Sequence, residues 1–137
     1  MTESAAPAVP QRLVPYLSYA DAPAAIDFLC RAFGFTERMR YPMPDGRVGH
    51  CELLYEGHTL MLASCFEGFG ESPLNLPSVH SQIFCYVEDV DAHFSHARDA
   101  GATITAEPLN DHGMRLYRAS DPEGHRWVFA TSQEPHT

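Results

Sequence analysis

The chain is short of positive charge. Nine Lys and Arg stand against 18 Asp and Glu, leaving a net charge of −9. Phosphate is held by basic surfaces, so nucleic acid is not an expected partner, and an anionic membrane surface is equally disfavoured. Long apolar runs are missing as well. None approaches the ~20 residues that cross a bilayer, so no membrane span is expected. No basic stretch leads into an apolar core near the N-terminus, and no secretory leader is expected. The four cysteines, Cys30, Cys51, Cys65 and Cys85, include no C-x-x-C pair. Three sit among apolar residues, which points to reduced, buried thiols and a cytoplasmic protein. There is no Ser-His-Asp arrangement, phosphate-binding loop or dinucleotide fingerprint; Gly68-x-Gly70 lacks the strand and helix that would give it meaning.

What the chain does contain is an internal repeat. Glu56-Gly57-His58-Thr59-Leu60-Met61-Leu62-Ala63 matches Glu123-Gly124-His125-Arg126-Trp127-Val128-Phe129-Ala130 at an offset of 67. Upstream, Leu17 to Ala22 matches Cys85 to Val90 at an offset of 68, and one extra residue, Phe33, accounts for the change. With 137 residues, 45% of them apolar, the chain is one domain with enough material for a core. A repeat of this size is a supersecondary unit that buries its apolar face against its copy.

Local patterns give each unit its elements. Val14 to Tyr19 reads as a strand, with Pro15 at its start or edge. Asp21 is an N-cap, Pro23 fits the first turn, and Ile26, Leu29, Cys30 and Phe33 repeat at helical spacing up to Gly34. Strands follow at 35–41, 47–55 and 58–63. The second unit has a strand at 82–87, a helix from Asp89 to Gly101, and strands at 102–107, 114–120 and 125–131. The expected fold is α+β: two tandem βαβββ modules forming a curved mixed sheet around a cavity, helices outside. Module 1 spans about 12–64, a linker 65–80 and module 2 about 81–131, with loose tails at 1–11 and 132–137.

The sequence resembles the vicinal oxygen chelate superfamily of glyoxalases, bleomycin-resistance proteins and extradiol dioxygenases. The resemblance runs over about residues 12–131. It rests on Tyr19-Ala20-Asp21, Ala32-Phe33-Gly34-Phe35, Asp45-Gly46-Arg47-Val48-Gly49-His50, Val87-Glu88-Asp89-Val90-Asp91-Ala92 and Asp121-Pro122-Glu123-Gly124-His125-Arg126-Trp127. It implies paired modules, often in homodimers, and in metal-using members four ligands on the first and last strands of each module. Those positions fall here on Val14, Met61, Gln82 and Val128. Valine has no donor atom and a thioether suits soft ions, so no metal and no other cofactor is expected.

Strand parity places Tyr16, Met61, Gln82, Phe84, Tyr86 and Arg126 on the cavity face, with Arg115 and Tyr117 near its mouth. His50 and Glu52 alternate on one strand and point to one face, either the cavity or solvent; facing the cavity, they would be a carboxylate–imidazole pair able to move a proton. His93 and His96 read as a solvated helix surface, and His58 and His125 as matching structural residues after a turn. The expected function is metal-free binding of an apolar or aromatic compound, in the manner of bleomycin-resistance proteins, with an antibiotic as one candidate ligand. The alternative is a glyoxalase-like lyase or isomerase using His50 and Glu52. A homodimer is expected.

Overall fold

A computed structural model describes residues 10–132. The tails expected at 1–11 and 132–137 therefore lie mostly outside the described residues. Gln11, expected within the loose tail, instead clamps Thr59: its Nε2 donates to the Thr59 carbonyl at 3.0 Å and its Oε1 accepts from the Thr59 N–H at 2.6 Å.

Module 1 comprises β1 (Tyr16–Tyr19), α1 (Ala22–Phe33), β2 (Thr36–Pro42), β3 (Val48–Tyr55) and β4 (His58–Ser64). Module 2 comprises β5 (Gln82–Tyr86), α2 (Val90–Asp99), β6 (Thr103–Asp111), β7 (Met114–Ser120) and β8 (Arg126–Ser132). Both helices start as the sequence suggests. Asp21 Oδ1 accepts from Ala24 N–H at 3.1 Å, and Asp89 Oδ1 from Ala92 N–H at 3.1 Å, each satisfying an orphan donor of the first turn. Gly34 ends α1 at φ 88°, a left-handed conformation that a side chain would oppose. β6 runs further than the sequence indicates. Pro108 is tolerated because β6 is an edge strand, and its register slips between Ala106 and Leu109.

The expected α+β architecture of two tandem modules is the observed one. Each module forms a four-stranded mixed sheet, ordered β1-β4-β3-β2 and β5-β8-β7-β6. β1 runs parallel to β4 and β5 to β8. Among the described residues no ladder joins β1 to β5, so the sheet is two halves rather than one continuous surface. Alternation sorts the faces. Leu17, Tyr19, Cys51, Leu53, Leu60 and Leu62 turn toward Ile26, Leu29 and Phe33 of α1. Tyr117, Trp127 and Phe129 turn the same way in module 2 and join the same core. Phe33 bridges the modules, its ring centre 4.8 Å from Phe129 and 5.2 Å from Trp127.

The helices also meet each other, and this corrects the reading of His93 as a solvated surface, while His96 remains exposed. His93 Nε2–H donates to the Phe33 carbonyl at 3.0 Å, while its Nδ1 accepts from the Tyr117 hydroxyl at 2.6 Å. His96 donates to the Arg31 carbonyl at 2.8 Å. A polar stripe on a helix looks the same in sequence whether it faces water or the carbonyls closing a neighbouring helix.

A second junction closes the far end of the module boundary. The loop from Asp121 to His125 docks on the turn between β1 and α1. The Tyr19 hydroxyl and Trp127 Nε1–H both donate to Asp121 Oδ2, at 2.6 and 3.2 Å. Glu123 accepts from Ala20 N–H at 2.6 Å, Asp21 N–H at 2.7 Å and the Ser72 hydroxyl at 2.5 Å. His125 donates to the Ser18 carbonyl at 2.9 Å. Asp121 and Glu123 are buried, and the hydrogen bonds to their oxygens offset the cost of taking a carboxylate from water.

Two outcomes follow from these junctions. Glu123→Ala leaves two backbone donors and Ser72 without their acceptor, and lowers stability in urea unfolding by about 2–4 kcal/mol. His93 is held neutral: burial pushes its pKa below the ordinary 6.5, outweighing the carbonyl of Phe33, with His96 adding a smaller downward push. Its contribution is whole above the unfolded pKa. As pH falls below that value the unfolded chain takes up a proton that the folded chain resists, so stability declines on acidification. The stability difference between the wild type and His93→Gln shrinks as urea midpoints are measured from pH 7.5 down to pH ~5.

Candidate functional site

The sheet faces turned away from the helices carry the candidate site residues. On module 1, Tyr16 lies beside Met61 in the β1–β4 ladder, and Met61 beside Glu52 in the β3–β4 ladder. His50 and Glu52 are one alternation apart on β3 and share that face. The sequence left open where these two point; the structure joins them to Tyr16. The Tyr16 hydroxyl and His50 Nδ1 are 2.7 Å apart, and His50 Nε2 and Glu52 Oε2 are 3.0 Å apart. A carboxylate only accepts, so Nε2 carries the proton and Nδ1 accepts from the phenol. Arg38 Nη1 lies 3.5 Å from Glu52 Oε1 and completes a row of four polar groups.

Sequence reasoning missed Arg38 for an identifiable reason. β2 slips its register against β3 between Glu37 and Met39, so counting parity along β2 fails there. Phe69 was missed too. It meets Tyr16 edge-on at 6.1 Å from within the linker. Its approach depends on Gly70, where a Cβ would lie 2.0 Å from Ser18 Oγ. No periodic signal marks a linker residue that packs on a sheet.

The Tyr16 phenol has its pKa raised, first by burial and then by the nearby Cys51 and Glu52 groups. It therefore keeps its proton at neutral pH. Together the residues form a relay: a phenol at the open end, an imidazole in the middle and a carboxylate held by an arginine. Such a row can fix a polar group of a ligand or pass a proton along it.

On module 2, Gln82, Phe84 and Tyr86 alternate along β5 and are exposed, Phe84 at 43% and Tyr86 at 63%. The two rings touch at 5.3 Å. Val128, Leu116 and Ala130 form a buried apolar floor on the neighbouring strands. Arg126 pairs with Gln82 in the ladder and donates to the Ser81 carbonyl at 3.3 Å.

The structure does not bring the two sets together. Among the described residues no hydrogen bond or aromatic contact joins the Tyr16 face to the Phe84 face. The helix-bearing sides of both sheets share one core, so each opposite face looks away from it. Arg115 and Tyr117 are corrected outright. Tyr117 is fully buried in the core beneath α2, and burial raises its phenol pKa. Arg115 ion-pairs with Asp91 of α2 at 2.8 Å. Both lie on the helix side of β7, because Met114, Leu116 and Arg118 occupy the other parity. His58 does not mirror His125: it is exposed and makes no side-chain hydrogen bond among the described residues. Its two-residue turn is shorter than the Asp121–His125 loop and carries it to no matching carbonyl.

A family model described as the Glyoxalase/Bleomycin resistance protein/Dioxygenase superfamily matches residues 12–129. The chain belongs to that superfamily. An uncharacterized protein of Mycobacterium tuberculosis, Rv0887c, is 39% identical over 121 residues, covering 84% of this chain and 71% of that one. TioX from Micromonospora sp. ML1 is 33% identical, with a TM-score of 0.73, over 89% of this chain and 98% of that one. A glyoxalase I mutant from Zea mays shares the fold at 18% identity and a TM-score of 0.70, over 90% of this chain and 45% of that one.

Metal-using members of the superfamily place ligands at positions that correspond here to Val14, Met61, Gln82 and Val128. These residues do not fit a divalent ion. Two are hydrocarbon, one is a thioether, and the single amide oxygen falls well short of the four or so donors required. Among the described residues no group of three or more His, Cys, Asp and Glu is placed to hold a metal.

The direction of the relay is testable. Nitrogen-15 spectra of the wild type should show His50 as the Nε2–H tautomer at neutral pH. Glu52→Gln should shift the ring toward mixed tautomers, and Tyr16→Phe should move Nδ1 toward the frequency of a free acceptor.

Proposed function

We propose that this chain is a metal-free small-molecule-binding protein of the glyoxalase/bleomycin-resistance type, holding an apolar or aromatic compound by stacking and burial. The observation that carries the reading is the pairing of unpartnered aromatic surface with a fixed polar row. Tyr16, Phe84 and Tyr86 stand exposed on the two outward faces. Met61 lies beside Tyr16, and Val128 and Leu116 lie beneath Phe84. Apolar walls with a few oriented polar groups are the usual make-up of a ligand pocket. His50, Glu52, Gln82 and Arg126 supply the orientation.

Each face is half a pocket. A homodimer completes it by laying the module 2 face of one chain over the module 1 face of the other. The ligand then lies between Tyr16 and the Phe84–Tyr86 pair. Four free cysteines, with thiol pKa values raised mainly by burial, suit a reducing cytoplasm. Sequestering an aromatic antibiotic is one use of such a pocket.

The Tyr16–His50–Glu52 row supports a second reading, a lyase or isomerase in which His50 moves a proton and Glu52 holds its tautomer. Turnover that is lost in His50→Ala while binding persists would establish it.

Calorimetric titration with a panel of aromatic antibiotics and metabolites tests the binding reading. A ligand should be found whose affinity falls by about tenfold or more in Tyr16→Ala, through lost ring contact and buried area. The protein should leave purification without stoichiometric metal. Tight zinc, nickel or iron binding that is abolished by Gln82→Ala would overturn the metal-free reading.

A further inference from the structure

The repeat gives the molecule two equivalent seams between its modules, and they are built differently. At one, the Asp121–His125 loop fills the space, and Asp121 and Glu123 spend their charge on hydrogen bonds to Tyr19, Trp127, Ser72 and the start of α1. At the other, the residue aligned with Glu123 is Glu56, in a two-residue turn. The junction aligned with Ala20 and Asp21 is Glu88 and Asp89. No hydrogen bond joins Glu56 to that junction among the described residues. A cleft of about 650 Å³ lies there instead.

That volume falls in the range of small-molecule pockets, ~300–1,000 Å³. Phe35 and Tyr55 of module 1 and Phe84 and Tyr86 of β5 line it, with Glu56 and Glu88 beside them. No Arg or Lys lines it. Both carboxylates are exposed, and neither has an ion-pair partner among the described residues. The charge of Glu56 is felt in the wall: the Cys85 thiol is pushed up to about 11, first by burial and then by Glu56.

We propose that this cleft is a second ligand site, for an organic cation with an aromatic or apolar body, of the amine or quaternary ammonium class. Ring faces attract a cation, and carboxylates without an ion-pair partner, in a cleft whose lining holds one imidazole, His58, and no Arg or Lys, favour it further. The net charge of −9 raises the local concentration of such compounds. The site is separate from the Tyr16–His50–Glu52 row; only Phe84 and Tyr86 border both.

Two fluorescent probes of similar size test it: berberine, a planar quaternary cation, and anilinonaphthalene sulfonate, an anion. The wild type should bind berberine more tightly, and the affinity should fall as salt is added. Glu56→Gln with Glu88→Gln should weaken berberine by about tenfold. Glu52→Gln and Tyr16→Phe should leave it unchanged, so that failure here is distinct from failure of the proposed function. Amide signals of Val87 and Glu88 should move on titration. Equal binding of the anion, no berberine binding, or indifference to the Glu56/Glu88 double variant would overturn the proposal.

Discussion

The relation between the two modules depends on one buried carboxylate. Glu123 reaches across the boundary to the first free N–H groups ahead of α1, where the helix end is already electropositive. Ser72 of the linker completes its shell. Asp121 does the same for Tyr19 and Trp127. A buried carboxylate is tolerated only when its oxygens are answered, so the loop has few places to sit. Phe33 and His93 then close the helix side. With both ends pinned, the helix-bearing sides of the sheets face one core, and the other two faces are left outward. The position of the candidate site follows from that.

Much of this was legible because the signals are local or repeated. The capping Asp21 and Asp89, the stop at Gly34 and the two-residue alternation of β1, β3, β4, β5 and β8 each state a geometry directly. Parity alone puts Tyr16 with Met61 and His50 with Glu52, but the hydrogen bond that joins the two pairs on one face is seen only in the structure. The register slip in β2 hid Arg38, since parity is lost at a bulge. His93 was misplaced because a donor facing a carbonyl and a donor facing water have the same letter. Arg115 and Tyr117 were misplaced because a mouth was assumed where β7 turns its odd-numbered residues inward. What a single chain's pattern does not encode is which faces of the modules meet, since that is decided by contacts such as Glu123 with Ala20, more than a hundred residues apart.

The repeat also shows how one frame acquires different chemistry. Ligand positions that suit a metal in other members of the superfamily hold Val14, Met61, Gln82 and Val128 here. Polarity has been placed instead on β3, where Glu52 and His50 form a row ending in the Tyr16 phenol. A row of this kind gains order from each added bond, because the carboxylate selects the imidazole tautomer and the imidazole orients the phenol. It offers one directional hydrogen bond where a metal would offer a strong, weakly directional charge. Fold membership is therefore compatible with recognition as well as with catalysis.

Energetics favours recognition by area. Full burial of a large apolar side chain is worth ~1.5–3 kcal/mol, and Tyr16, Phe84 and Tyr86 each still expose about two-fifths or more of their surface. Three such rings covered at once would release several kcal/mol, enough to offset much of the cost of holding a small molecule or a second chain. A polar row bonded within itself adds little to that sum, since a ligand that engages it exchanges one hydrogen bond for another. In the proposed binding role, its value would lie in rejecting ligands that bring no polar group to the Tyr16 hydroxyl. In that proposed role, area would set affinity and the relay orientation, a division of labour that asks for exposed rings beside a fixed polar row, as on the Tyr16 face.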